Sequence, residues 1–164
     1  DKLGISKSEN MKQFFAYLRE QLDDLEIPLS ADFFGMTTTN TDDLNIGQIL
    51  EDGLIYFDYI APMIYPSHYP PTFLGYKNPA AHPYEVIKYA LDGAVRRAIA
   101  IGQPKEKIRP WLQDFNLGAT YTAEMVRKQK QATYDSGLDS WLLWDPSNKY
   151  TRGALEDNLL TKEE

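Results

Sequence analysis

The amino-acid sequence predicts an α/β fold in which about four parallel strands alternate with helices, an arrangement equal to half of a (β/α)8 TIM-type barrel. Short apolar runs alternate with longer segments whose apolar residues recur every three or four positions. This is the pattern of buried parallel strands joined by helices. The strand ends carry Asp, Tyr, His, Trp and Gln, and no glycine-rich phosphate loop follows any strand. That combination favours a barrel over the alternative, a small doubly wound sheet.

Four segments have the periodicity of amphipathic helices: residues 6–27, 46–57, 84–102 and 122–137. Ser6 or Ser8 can cap the first helix, and Thr120 or Thr122 can cap the fourth. Gly53 weakens the second helix. Apolar residues predict the buried face of the first helix: Met11, Phe14, Phe15, Leu18, Leu22 and Leu25. The corresponding residues of the third helix are Val86, Ile87, Ala90, Leu91, Ala94 and Ala98.

The predicted strands follow or precede these helices as short apolar runs: residues 28–36, 58–66, 107–115 and 138–146. Between them lie a polar loop at 37–45 and a proline-rich loop at 67–83, and a loop of the latter length is often functional. We therefore expect one half-barrel domain over residues 1–150. Residues 151–164 form a C-terminal tail.

Half a barrel has a structural consequence for this chain. A complete barrel needs roughly 250 residues and eight strands, whereas the 164 residues here supply about four. A four-stranded half leaves two open parallel edges, which are unfavourable in water. We expect either a homodimer that pairs these edges or a missing half that completes the barrel. The isolated chain should then be inactive or nearly so.

Composition narrows the classes of partner and cofactor. The net charge is −7, so neither nucleic acid nor an anionic membrane surface is an expected partner. No apolar run approaches the ~18 residues of a membrane span. The lack of cysteine excludes disulfides and thiolate chemistry. Zinc usually takes three or four ligands, and only His68 and His82 are present; we expect no metal and no other cofactor.

The first two strands end in candidate site residues. Asp32 adjoins two phenylalanines, and a carboxyl group among aromatic rings is suited to general acid catalysis. Tyr65 stands where the second strand ends, and His68 and Tyr69 follow within the motif YPSHY. Two phenols and an imidazole can bond sugar hydroxyls and stack on a sugar ring. We predict that these three residues bind substrate.

The third strand ends in WLQDF. Trp111 and Gln113 share one side of this strand and Leu112 and Asp114 share the other, because strand side chains alternate. Only one pair points inward, although a curled strand end can still bring Asp114 to the mouth of the barrel. Indole stacks on the apolar face of a sugar while amide and carboxylate groups bond its hydroxyls. Trp111 and Gln113 are therefore predicted to bind carbohydrate.

The fourth strand also ends in a tryptophan beside a carboxylate, Trp144 and Asp145. We predict that these two residues bind substrate as well. Glycoside hydrolysis generally needs two carboxyl groups across the scissile bond. Asp32 and Asp114 lie two strands apart in sequence order and are the predicted catalytic pair, unless one partner lies on strands outside this chain. All these side chains are expected to converge at the C-terminal ends of the parallel strands.

Five motifs together resemble the C-terminal part of a bacterial family of putative glycosyl hydrolases: ADFFGM, DYIAPMIYPSHYPP, PYEVIKYAL, IRPWLQDF and GLDSWLLWDPSNKY. The resemblance covers about residues 7–150. It implies the C-terminal half of a (β/α)8 barrel that hydrolyses a polysaccharide or cell-wall glycan. It also implies an extracellular or cell-surface location, because family members resemble exported proteins with a membrane anchor upstream.

A looser resemblance is to family-18-type chitinases. Met63-Ile64-Tyr65 and Trp144 are similar to residues that line the sugar site of those barrels, but the acidic motif D-x-x-D-x-D-x-E is not in this sequence. Two alternative functions stay open. One is a non-catalytic carbohydrate-binding barrel, which keeps the aromatic residues without paired carboxylates. The other is a small α/β regulatory domain, for which the sequence offers no phosphate-binding loop.

Overall fold

The computed structural model describes residues 4–155, and in this range four helices alternate with four strands. The elements in chain order are α1 (Lys7–Leu22), β1 (Ser30–Phe34), α2 (Leu50–Tyr56), β2 (Tyr59–Met63), α3 (Pro83–Ala100), β3 (Trp111–Gln113), α4 (Ala123–Asp135) and β4 (Leu142–Trp144). The predicted α/β class is confirmed.

The four strands form one parallel sheet in the order β1-β2-β3-β4. Each helix after the first connects one strand to the neighbouring parallel strand, and such connections have the same handedness. Because the chain always proceeds across the sheet in one direction, these helices lie on the same side of it. The helices accordingly contact one another in sequence, α1 with α2, α2 with α3, and α3 with α4. The sheet is not closed, which is consistent with the predicted half of a (β/α)8 barrel.

Strand register decides which side chains face away from the helices. Partners in the register are Phe34 with Met63, Met63 with Trp111, and Gln113 with Trp144. Register partners in a parallel sheet lie on the same face. We call the side without helices the open face. Its strand residues at the carboxyl end of the sheet are Asp32, Phe34, Met63, Trp111, Gln113, Leu142 and Trp144.

The opposite face packs on the helices and forms the core. Phe33, Ile60 and Leu112 are at most 1% exposed, and every residue of the predicted apolar face of α3 is buried. Gly53 permits this packing, because a Cβ at that position would lie 2.6 Å from Phe33 Cζ and 2.7 Å from Ile60 Cδ1. The glycine that weakens α2 as a helix thus lets α2 approach the sheet.

Two features of α1 differ from the prediction. The helix begins at Lys7 after the predicted cap Ser6, whose side chain accepts a hydrogen bond from the Glu9 amide. It ends at Leu22 rather than at residue 27, and a 3-10 turn follows. Phe14 is exposed, because Phe15 occupies the position that contacts Phe33.

The strands are shorter than the predicted apolar runs. In the 107–115 run, Ile108 makes only an isolated bridge to Ile60, and Pro110 has no N–H to donate. The ladder with β4 therefore begins at Trp111, next to a bond from the Leu142 amide to Pro110 O of 2.8 Å. The loop 67–83 is built largely of short 3-10 turns, at Pro66–His68, Phe73–Gly75 and Pro79–Ala81.

Part of the predicted tail is packed on the domain. A 3-10 turn at Arg152–Ala154 lies against α4, where Lys130 Nζ donates to Ala154 O at 2.9 Å. The remainder of the predicted tail, residues 156–164, lies outside the described residues. No helix within residues 4–155 combines the length and apolarity needed to cross a membrane.

Candidate functional site

A carboxylate and two indoles meet on the open face. Trp111 Nε1 donates a hydrogen bond of 2.8 Å to Asp32 Oδ1. The rings of Trp111 and Trp144 meet edge to face, with centroids 5.8 Å apart. These residues come from β1, β3 and β4, so the fold brings them together as the sequence predicts. Within residues 4–155, Asp32 Oδ2 has no hydrogen-bond partner and is available to a ligand.

A second aromatic group lies beside this one at the end of β2. The Tyr65 ring meets His68 at 5.1 Å and Phe115 at 5.3 Å, both edge to face. Burial, reinforced by the charge of Asp32, raises the pKa of the Tyr65 phenol, which stays protonated and able to donate. Burial lowers the pKa of His68, so its imidazole is neutral near pH 7.

Gln113 supports the loop after β2. Its Oε1 accepts from the Ser67 amide at 3.2 Å and from Ser67 Oγ at 2.9 Å, and its Nε2 donates to Phe115 O. The residue is fully buried. Gln113 thus lies on the open face as predicted, but its polar groups hold the YPSHY loop and the turn after β3.

The carboxylates of Asp114 and Asp145 both accept hydrogen bonds from within the chain. Strand alternation puts Asp114 on the helix side, where its two oxygens accept from the amide and the hydroxyl of Thr151 at 2.7 Å each. The structure therefore does not bring Asp114 to Asp32. Asp145 Oδ1 accepts from the amides of Ser147 and Lys149 and closes the turn after β4.

Tyr69 is buried in the core, and its side chain also lines an apolar pocket beside the site. It is 4% exposed and packs on Phe73 at 4.5 Å. Its hydroxyl has no hydrogen bond of normal geometry within residues 4–155. Burial raises the pKa of this phenol, against a smaller opposite effect of the neighbouring Thr38 hydroxyl.

Sequence reasoning did not single out Ser67 and Phe115. Both flank predicted residues, Ser67 within YPSHY and Phe115 at the end of WLQDF. The signal that was available is their position in the segments that follow β2 and β3, since barrel folds supply site residues from such segments.

A cleft of about 680 Å³ lies at the opposite, amino-terminal end of the strands. One ion pair, between Arg19 and Asp58, lies in this cleft, whose other charged lining residues are Asp23, Glu26, Glu106, Lys107, Arg109 and Asp139. Arg19 Nη2 lies 3.0 Å from Asp58 Oδ2, and Arg109 covers the Tyr59 ring at 3.9 Å while donating to Ser140. The cleft lies at the far end of the sheet from Asp32 and both indoles, and we place the site at the carboxyl end.

Within residues 4–155, no group of three or more His, Asp or Glu is arranged to hold a metal ion.

Comparison with known proteins identifies the family of the chain. The profile of a family described as "Putative glycosyl hydrolase domain" matches residues 2–150, which contain every strand and helix of the sheet. No curated protein shows significant similarity to the sequence. From the extent of the match, the chain belongs to the putative glycosyl hydrolase domain family.

Proposed function

We propose that the chain is a glycoside hydrolase-like domain that binds a polysaccharide or cell-wall glycan on the open face, with Asp32 as its catalytic carboxyl group. The observation that carries the proposal is the hydrogen bond from Trp111 to Asp32 beside the exposed ring of Trp144. Membership of a glycosyl hydrolase-like family supports the class of function. The substrate and the mechanism are our inference.

The arrangement suits a sugar ring and its hydroxyls. Trp144 is 41% exposed and offers a stacking surface. The Tyr65 phenol donates to a sugar hydroxyl, and the neutral His68 imidazole can donate or accept. We assign Tyr69, Gln113 and Asp145 the role of shaping the loops around the ligand, because their polar groups are buried or already bonded within the chain.

In the proposed reaction, the protonated form of Asp32 donates its proton to the glycosidic oxygen as the bond from the anomeric carbon to that oxygen breaks. Water adds to the anomeric carbon and gives up a proton to the Asp32 carboxylate, which restores the acid. Trp111 holds Asp32 in a fixed orientation for this transfer. Asp114 was predicted as the second carboxylate, yet within residues 4–155 no second Asp or Glu bonds to Asp32 or Trp111.

That single carboxylate favours a second candidate function. A non-catalytic carbohydrate-binding domain needs the indoles and Tyr65 but no pair of carboxyl groups. One experiment separates the two functions: the full-length protein that contains this domain is tested on a panel of polysaccharides and cell-wall glycans for binding and for release of reducing ends. A hydrolase releases reducing ends from a glycan that it binds, whereas a binding domain does not.

Asp32→Asn tests the role of the carboxyl group, and Asp139→Asn is its matched control. Asp139 is also exposed but lines the cleft at the amino-terminal end of the sheet. We expect Asp32→Asn to abolish hydrolysis while glycan binding persists, and Asp139→Asn to change neither. Full hydrolysis by the Asp32→Asn variant would exclude Asp32 as the catalytic acid.

We also propose an extracellular or cell-surface location, which rests on the resemblance of this family to exported proteins. Fractionation of the source cells, followed by detection with an antibody against this domain, tests it. Recovery of the protein in the cytosolic fraction alone would contradict the proposal.

A further inference from the structure

An apolar pocket of about 560 Å³ adjoins the proposed glycan site. It lies at the carboxyl ends of β1 and β2, and a volume of this size is typical of pockets for small organic ligands. Its lining is mainly apolar and includes six residues with large apolar side chains: Phe34, Met36, Leu44, Ile46, Met63 and Tyr65. Phe34 is 56% exposed and Ile46 38%, so apolar surface stays in contact with water until a ligand covers it.

The pocket shares two residues, Tyr65 and His68, with the proposed glycan site. Phe34 is two residues beyond Asp32 on the same face of β1, and Met63 pairs in register with Trp111, which bonds Asp32. Tyr65 and His68 line the pocket and also belong to the aromatic group beside Asp32. A ligand whose sugar rests on the indoles therefore has its neighbouring group at the mouth of this pocket.

The walls select for hydrocarbon over sugar. A sugar ring placed among Met36, Leu44, Ile46 and Met63 would lose water from its hydroxyls without regaining hydrogen bonds, which is unfavourable. A hydrocarbon chain placed there gains free energy from burial.

We propose that this pocket binds an apolar substituent of the glycan, a hydrocarbon chain attached as an alkyl or acyl group next to the bond at Asp32. The inference rests on the proposed function for its sugar part. It makes the substrate a glycan with a lipid-like substituent rather than an unmodified polysaccharide.

The methionines provide a site-resolved test. The chain has four, of which Met36 and Met63 line the pocket, whereas Met125 lies on α4 and contacts a separate apolar cluster. With 13C-methyl-labelled methionine, hexyl glucoside below its micelle concentration should shift the Met36 and Met63 signals saturably and leave Met125 unchanged. Methyl glucoside, which has the same sugar and no chain, should shift neither pocket signal.

Phe34→Ser is the decisive variant, because the side chain lies at the pocket mouth and is largely exposed, so folding should persist. We expect hexyl glucoside to bind about tenfold more weakly to it. Ile99→Ser removes an equally exposed apolar side chain, 61% exposed on the far side of α3, and should leave the affinity unchanged. In both variants, a Met125 signal at its wild-type position shows that the fold is retained.

The outcomes of these experiments distinguish the pocket proposal from the proposed function. Equal effects of hexyl and methyl glucoside, a shift of all methionine signals together, or full affinity in Phe34→Ser would overturn the pocket proposal even if glycans are hydrolysed. Saturable hexyl glucoside binding that Phe34→Ser weakens supports the pocket even if no glycan in the panel is bound or cleaved, in which case the proposed function alone fails.

Discussion

Trp111 contributes two separate properties to the site, a ring face and one N–H group. The ring lies against Trp144, and the N–H donates to Asp32. A fixed carboxylate matters more in a transition state than in ligand binding, since proton transfer requires defined geometry. The two properties can be separated by substitution.

Trp111→Phe keeps a ring and removes the N–H. We expect it to lower the rate of glycan hydrolysis by about tenfold or more, while the dissociation constant for the same glycan changes little. Rates and binding are measured on the glycan selected by the panel. Equal losses in both quantities would indicate that Trp111 acts only as a stacking surface.

Trp144→Ala should weaken glycan binding by about 1 kcal/mol or more, because a stacking ring is lost. The melting temperature should change little, since Trp144 is partly exposed. Trp141→Ala is the matched control. Trp141 packs on the core and bonds Tyr134 Oη at 2.9 Å, so it should lower the melting temperature and keep glycan affinity. Unchanged affinity of Trp144→Ala with a large loss of stability would make Trp144 a core residue.

Gly53→Ala should destabilise the fold despite the better helix propensity of alanine. The added methyl group would overlap Phe33 and Ile60, and overpacking costs about 1–3 kcal/mol, which exceeds the ~1 kcal/mol gain in propensity. Urea unfolding gives the change in free energy. Phe33→Leu replaces the ring that the added methyl group would overlap with a smaller side chain. In that background, Gly53→Ala should lower the free energy of unfolding by less. Stabilisation by Gly53→Ala would contradict the close approach.

One side chain of α4, that of Gln129, holds β3 in place. Gln129 Oε1 accepts from the Gln113 amide at 2.9 Å and Gln129 Nε2 donates to Gln113 O at 2.7 Å. Both residues are fully buried. The strand that carries Trp111 is thereby fixed to its helix by hydrogen bonds as well as by apolar packing.

Gln129→Leu should lower the free energy of unfolding by about 1–3 kcal/mol or more, because it leaves a buried N–H and a buried C=O of Gln113 without partners. Gln131→Leu, on the exposed side of the same helix, should have a small effect, since it loses only an exposed bond to Asp135. Denaturant unfolding of the two variants compares them. Equal effects would mean that the bonds to β3 contribute nothing measurable.

A second contact between elements should respond to acid. Arg97 on α3 bonds Glu51 on α2 at 2.6 Å and also donates to the carbonyls of Thr37 and Asn40. The Arg97 hydrogen bond holds the pKa of Glu51 below its usual value. The folded state therefore binds this proton less readily than the unfolded state.

The contribution of Glu51 to stability is full above the ordinary glutamate pKa and is lost as the pH falls through the lower folded-state pKa. We expect Glu51→Gln to lower the melting temperature at pH 7 and to reduce its dependence on pH between about 5 and 3. Scanning calorimetry across this range, against Glu124→Gln on the exposed surface of α4, measures the difference. Identical acid slopes for the wild type and Glu51→Gln would contradict the assignment.

Within residues 4–155, the sheet has two outer strands and one face that no helix covers. β1 and β4 each pair on one side only. The Phe34 amide is already bonded to Gln48 Oε1 at 2.9 Å, so part of the β1 edge is occupied. The open face still presents Phe34, Leu142 and Trp144, and such a surface favours association.

We propose that the chain self-associates through its open edges as a twofold dimer, the commonest symmetric solution. Light scattering at micromolar concentration should give about twice the chain mass of 18.8 kDa. Leu142→Lys puts a charge on the open face at the outer strand β4 and should shift the protein to monomer, whereas Ile99→Lys should not. A mass near 18.8 kDa that does not rise with concentration would show that the half barrel is stable alone.

The sequence alone determined the class of fold and the places from which the site is built. Apolar periodicity identified all four helices and four strands, because burial acts on each segment separately. The caps Ser6 and Thr122 and the buried residues of α3 follow from the same local chemistry. Strand ends identified Asp32, Tyr65, Trp111 and Trp144, which the fold brings together.

Tertiary structure decided which of two equivalent sides of each strand faces the site. Alternation in WLQDF allows either Trp111 with Gln113 or Leu112 with Asp114 to point away from the helices, and only register with β2 selects the first pair. Asp114 is therefore bonded to Thr151, a residue 37 positions away, and Tyr69 lies in the core. These outcomes depend on contacts between distant segments, whose geometry no local pattern contains.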